Sequence, residues 1–207
     1  MRPAILFLAI PVFAAAPLIW AGAAPGVAAA APAALRVQIV DASGVPVVEV
    51  HAAKARPGPI RFPWKMGMGQ KNQQFVPGTL IVAKGSTVAF PNLDNVRHSV
   101  YSFSKAARFT IELYGRDQTR TQAFPIVGSV KLGCNIHDQM RGYIRVTDTP
   151  FAAKTDHNGF VTLTGVPAGA AKVTVWHPLL RAIENQSISA LAVSGAAQTH
   201  KIKVSLR

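Results

Sequence analysis

Cys134-Asn135-Ile136-His137-Asp138-Gln139-Met140 sets a thiol, an imidazole and a thioether within seven residues, and Cys134 is the only cysteine of the 207-residue chain. Soft sulfur donors combined with imidazole select copper and allow one-electron exchange. A second imidazole stands upstream in Phe90-Pro91-Asn92-Leu93-Asp94-Asn95-Val96-Arg97-His98-Ser99-Val100. A blue-copper site needs two histidines and one cysteine near a trigonal plane, with a weak axial methionine. His98, Cys134, His137 and Met140 fill those four roles in order and make one type 1 copper the expected cofactor. Taken singly, each has a plainer reading: a core methionine, a turn histidine, a small buried cysteine. Their coincidence in one pattern is what favours copper. Zinc also accepts cysteine and histidine, but a thioether suits copper better.

The elements that must position these residues follow from the same stretch. One loop converges three ligands if a strand delivers Cys134 and another receives Met140; Leu132-Gly133 and Arg141-Gly142-Tyr143-Ile144 read as those strands. His98 opens an alternating segment after a polar turn. The interval from His98 to Cys134 leaves room for about three short strands and a return. Strand alternation dominates the rest. It appears around Val37 and Ile39, over 47–50 after a turn at 42–46, and as two strands punctuated by Gly85 within 75–90. It continues over 99–103, 109–113, 128–132 and 142–146. Residues 55–72, rich in proline and glycine, read as a connector. Beyond Thr149, Asn158-Gly159 turns into 161–163, and further strands follow at 172–178 and 200–206, with a short turn over 180–184. The fold class is all-β, with strand spacing that suggests a sandwich or barrel.

Phe75 to Phe90 spells F-x-P-x-x-L-x-V-x-x-G-x-x-V-x-F ahead of the four ligands in order. Over residues 66–147 the chain thereby resembles the cupredoxin family of plastocyanin-like blue-copper proteins. That resemblance implies the Greek-key sandwich, copper on His98, Cys134, His137 and Met140, and single-electron transport between redox partner proteins rather than catalysis. Two departures bear on potential and docking. Ser99 follows the first histidine, where the family often has Asn, and polar Asp138-Gln139 follow the second. In a second unit, Thr155-Asp156-x-x-Gly159-x-Val161 and Gly165-Val166-Pro167-Ala168-Gly169 resemble the carboxypeptidase regulatory-like domain, a transthyretin-like sandwich without catalytic residues. Its usual opening, D-x-x-G-x-P-V, stands far upstream at Asp41 to Val47. The economical arrangement is discontinuous: 36–56 pairs with 151–207, and the cupredoxin unit at 66–147 is inserted between them. The alternative assigns 36–56 to the copper barrel and leaves the C-terminal part a partial sandwich.

Charge and targeting narrow the function. Arg2 is followed by no charged residue until Arg36, with an apolar run from Ile5 to Ile10 and small residues after it. This is the order of a signal peptide over 1–30, cleaved near 23 or 30, and implies a periplasmic or secreted protein. An uncleaved anchor is the alternative, against which Pro11, Pro17, Pro25 and Pro32 interrupt the stretch. No stable membrane insertion is expected after cleavage. An exported protein with one cysteine forms no internal disulfide, so Cys134 is paired between chains, free, or bound to something. The formal charge of +13 suits acidic partners. The basic residues are scattered, which disfavours nucleic acid. Arg116, Arg120 and Lys131 are candidates for a docking patch or an ordinary solvated face. Met66-Gly67-Met68 reads as an accessory Cu(I) site or a loop beside a core. His177 reads as structural, and His51, His157 and His200 carry no assigned role. Without a His-x-His pair or a Ser/His/acid set, catalysis is disfavoured. The remaining alternatives are a copper chaperone or storage protein, and a structural β-sandwich with an incidental metal site.

Overall fold

β1 (Ala34–Val40) turns Leu35, Val37 and Ile39 inward and Arg36 outward, the period-two pattern of a half-buried strand. The computed structural model describes residues 34–40 and 45–207. The expected signal peptide and most of the 42–46 turn lie outside these. β1 pairs antiparallel with β13 (Phe160–Thr164) and parallel with β16 (Gln198–Lys203). β2 (Val47–Ala52) runs between β12 (Ala152–Lys154) and β14 (Gly169–Trp176), and β15 (Gln186–Val193) completes that four-stranded sheet. The two sheets enclose an aliphatic core that includes Leu35, Val37, Ile39, Val48, Val50, Val173, Val175 and Ile202. Gly159 closes the turn before β13 with φ 78°, and a β-carbon there would collide with the Ile39 carbonyl. Ile39 N–H donates to the Gly159 carbonyl at 2.8 Å, so this turn is welded to β1.

The residues between β2 and β12 build other sheets. β3 (Gly69–Lys71) and β4 (Gln74–Val76) form a hairpin, and β6 (Ser86–Pro91) pairs with β9 (Thr119–Phe124). The main sheet has the order β5 (Thr79–Ala83), β11 (Arg141–Thr147), β10 (Gly128–Gly133), β7 (His98–Ser104), β8 (Ala107–Tyr114). Tyr114, Leu132 and Ile144 of this sheet pack with Phe75, Phe90 and Phe124 of β4, β6 and β9 into a second core that also holds Cys134 and Met140. Where the sequence suggests two strands within 75–90 there are three, because Pro77-Gly78 breaks the first. β9 and β15 carry too little apolar alternation to be read as strands beforehand. Among the described residues the only helical element is a single 3-10 turn, Ile183–Asn185.

A seam joins the two cores. Val47, Ile81, Ala152 and Trp176 pack there with Phe62, Trp64 and Tyr143. Beside them Glu49 of β2 and Arg145 of β11 form a buried two-pronged ion pair at 2.9 and 2.8 Å. The remaining guanidinium donors reach Ser129 Oγ at 2.8 Å and Gln186 Oε1 at 2.9 Å. β2 thus has both faces covered, and its one charge is matched from the other core.

Candidate metal centre

Cys134 directly follows β10 and Met140 directly precedes β11, so the seven-residue loop is the connection of a β-hairpin. Met140 N–H donates to the His137 carbonyl at 2.9 Å, folding the loop back on itself. His98 opens β7 opposite Tyr114 of β8, with an irregularity in the pairing just after it. His98, Cys134 and Met140 are buried and His137 is half-buried.

Three of the four expected ligands converge. Cys134 Sγ lies 3.7 Å from His98 Nδ1 and 3.8 Å from His137 Nδ1, and the three donor atoms lie within 4.8 Å of one another. The two rings sit 4.9 Å apart, tilted by 55°. A sulfur and a nitrogen bonded to one metal at ordinary lengths, about 2.3 and about 2.05 Å, stand about 3.8 Å apart at a trigonal angle. Both cysteine–histidine separations are close to that figure, so Cys134 could share one metal with either histidine. Met140 is buried in the same core as Cys134, with its backbone tied to His137.

The surroundings orient the donors. His98 Nε2 lies 2.8 Å from Asp94 Oδ2. With the carboxylate ionised, Nε2 carries the proton and Nδ1 presents its lone pair toward Cys134. Asp94 also accepts the N–H groups of Asn72 at 2.6 Å and Gln73 at 2.9 Å, the two left-handed residues at the tip of the β3–β4 hairpin. Burial pushes the Asp94 carboxyl up, but the Gln73 N–H, His98 and the Asn72 N–H outweigh it and hold it below its ordinary value. Asn92, fully buried, accepts the Asp94 N–H at 2.9 Å and donates to the carbonyls of Val96 and Tyr114. Ser99 braces the start of the loop. Its hydroxyl accepts the Asn135 N–H at 2.9 Å and lies 3.8 Å from Cys134 Sγ.

The sequence alone marks neither Asp94 nor Asn92; the one signal is an acidic residue four positions before His98. The other sequence candidates lie elsewhere. Met68 is fully buried in the core beside the centre and Met66 packs against it, so neither is presented as an exposed site. His177 accepts the Leu179 N–H at Nδ1, and burial lowers its pKa. His51 pairs with Asp148 at 2.9 Å on the surface. Arg116 pairs with Asp117, Arg120 lies over the Tyr114 ring, and Lys131 stands on the outer face of β10. These three sit on different strands and loops.

No family model matches the chain, and no curated protein matches it. Among solved structures it is similar to cupredoxins. The reduced Cu(I) form of an amicyanin mutant is 21% identical, with a TM-score of 0.37, over 48% of this chain and 92% of that one. A purple cupredoxin from Nitrosopumilus maritimus is 21% identical, with a TM-score of 0.35, over 39% of this chain and 96% of that one. A copper-containing nitrite reductase from Thermus scotoductus is 23% identical, with a TM-score of 0.39, over 49% of this chain and 26% of that one. Among the described residues no helix is long and apolar enough to cross a membrane.

Proposed function

We propose that this chain is an exported type 1 copper protein that carries single electrons between redox partner proteins, with the metal on His98, Cys134, His137 and Met140. One observation above all supports the reading: two imidazole Nδ1 atoms stand 3.7 and 3.8 Å from the same buried thiol. Copper in such a donor set supplies the Cu(II)/Cu(I) couple, one electron without a proton. The chain supplies fixed geometry. Asp94 keeps His98 from swinging, Ser99 ties the start of the ligand loop to β7, and the His137–Met140 backbone bond ties its end. Donors held in this way move little when the metal charge changes. Burial of His98 and Cys134 favours a carrier over a chaperone, which needs an exchangeable, open site. His137 is the ligand nearest solvent and the natural route for the electron. Export rests on the leader pattern over 1–30, and the absence of a His-x-His pair from the sequence argues against a multicopper enzyme.

The same proposal extends to the architecture: 66–147 is a cupredoxin-like unit inserted in a carboxypeptidase regulatory-like sandwich made of 36–56 and 151–207. Pairing of β1 with β13 and β16, and of β2 with β12 and β14, supports it.

Met140 provides the test. Met140→Gln puts a harder oxygen beside the metal and lowers the reduction potential, whereas Met140→Leu removes the donor and raises it, both with the blue colour kept. Voltammetry of the copper-loaded variants reads this. An unchanged potential in Met140→Leu would make Met140 a core residue only.

A further inference from the structure

The outer face of the main sheet carries a feature that the ligand loop does not explain. Side chains on β10 alternate, so Val130, Leu132 and Cys134 point into the copper-side core while Lys131 and Gly133 face out. Gly133 pairs with Arg141 on one side and Tyr101 on the other. Tyr101 lies across the glycine: a β-carbon at position 133 would meet the tyrosine ring at 2.5 Å. The phenol ring therefore rests on the peptide that leads into Cys134. Tyr101 is in turn 5.3 Å from the ring of Phe103, which is 70% exposed. An aromatic pair thus runs outward from the ligand-bearing strand to solvent.

Charge surrounds that pair. Arg108 is directly opposite Phe103 on β8, Lys105 is in the adjoining turn, and Lys131 and Arg141 are exposed on the neighbouring strands. Asp138 is the acidic group beside them, and Glu112 lies further along β8. Tyr101, Phe103, Lys131, Asp138 and Arg141 line a shallow cleft of about 380 Å³. An exposed aromatic ring inside a basic rim is the composition of an interface anchor with electrostatic steering.

We propose that the end of this outer face nearest Cys134, beyond the Tyr143 and Arg145 seam, docks an acidic one-electron carrier protein, with Phe103 as its anchor and Tyr101 as the contact leading to Cys134. The proposal rests on the copper reading above and adds to it a face on the Tyr101 side of the ligand loop, reached through Asp138 and Met140 rather than through the His137 ring. Copper held by His98, Cys134 and His137 would supply the one-electron acceptor there: the partner's centre would give up one electron as Cu(II) became Cu(I), with no bond formed or broken and no proton moved.

The experiment uses the isotope-labelled full chain loaded with copper and reduced, titrated with the paramagnetic trianion hexacyanochromate(III). Selective broadening of the amide signals of Phe103, Lys131 and Arg141 is expected, weakening several-fold in the double variant Lys131→Glu, Arg141→Glu and on raising the salt. Broadening that is evenly scattered, or centred on the exposed apolar residues Leu93, Val96 and Ile136 of the other loops, would overturn the proposal. So would a double variant that broadens like the parent. The visible spectrum of the same sample before reduction reports separately on whether the copper is blue, so the two ideas fail independently.

Discussion

The two cores of this protein are built from different materials. The core between the β13-β1-β16 sheet and the β12-β2-β14-β15 sheet is made of buried Val, Leu, Ile and Ala side chains, without a buried aromatic. The other mixes Phe, Tyr, Met and Cys, and beside them lie buried His98, Asn92, Ser99 and Gln70. Aliphatic packing is indifferent to direction, so the first core needs only shape and volume. In the second, His98, Asp94 and the ligand loop need assigned partners and obtain them from a short list: Asp94 for His98, Asn92 for Asp94, Ser99 for the ligand loop. One core supplies a scaffold and the other supplies orientation.

The largest test of that division lies at the seam. Glu49→Ala leaves Arg145 as an uncompensated buried charge and should destabilise the full chain by about 3–5 kcal/mol. A thermal melt measures the loss, while the absorption spectrum of the copper-loaded variant at low temperature should match that of the parent. A changed spectrum would mean that the scaffold and the centre are not separable in this way.

Asp94→Asn attacks orientation instead. It removes the carboxylate that fixes the His98 tautomer, and loss of such a partner typically weakens metal binding about 10–100-fold. Competition with a chelator reads the affinity, and a melt of the metal-free protein should show a smaller effect than Glu49→Ala. Affinity equal to that of the parent would make the Asp94–His98 contact incidental.

The smallest effect belongs to the aliphatic side. His177 is buried with Nδ1 accepting the Leu179 N–H, and burial lowers its pKa. Its folded pKa lies below the unfolded one, so its contribution is complete above the unfolded value of about 6.5 and is lost as pH falls toward the folded value. Denaturant midpoints should therefore fall on acidification below neutrality, and His177→Asn should flatten that decline. A decline of equal slope in the variant would assign the acid sensitivity to another group.

The same contrast explains what the sequence disclosed. The meeting of Cys134 and His137 is legible because one hairpin connection fixes their spacing, and that of His98 because it opens an alternating strand after a polar turn; Met140 closes the same connection, and its part as a ligand belongs to the proposal. Asp94 is illegible: a lone acid in Asn92-Leu93-Asp94-Asn95 looks like ordinary turn chemistry until the β3–β4 hairpin tip is folded against it. Tyr101 over Gly133 is invisible for the same reason, since it depends on which strand pairs with β10. Among strands, β1 announces itself by alternation. β9, Thr-Arg-Thr-Gln-Ala-Phe, buries only Phe124 and is held by its ladder with β6. β15 exposes Ile188 while burying Leu191 and Val193, so its apolar residues mark no single face. Pairing holds both strands, and pairing is not written in local periodicity.

The most direct measurement is the visible spectrum of the full chain reconstituted with one equivalent of Cu(II), beside that of Cys134→Ser. Cys134 is the only thiolate available to give a sulfur-to-copper charge-transfer band. The parent should show an intense visible band and the folded variant, checked by its melt, none. A colourless parent, or a band that survives in Cys134→Ser, would contradict the blue-copper account.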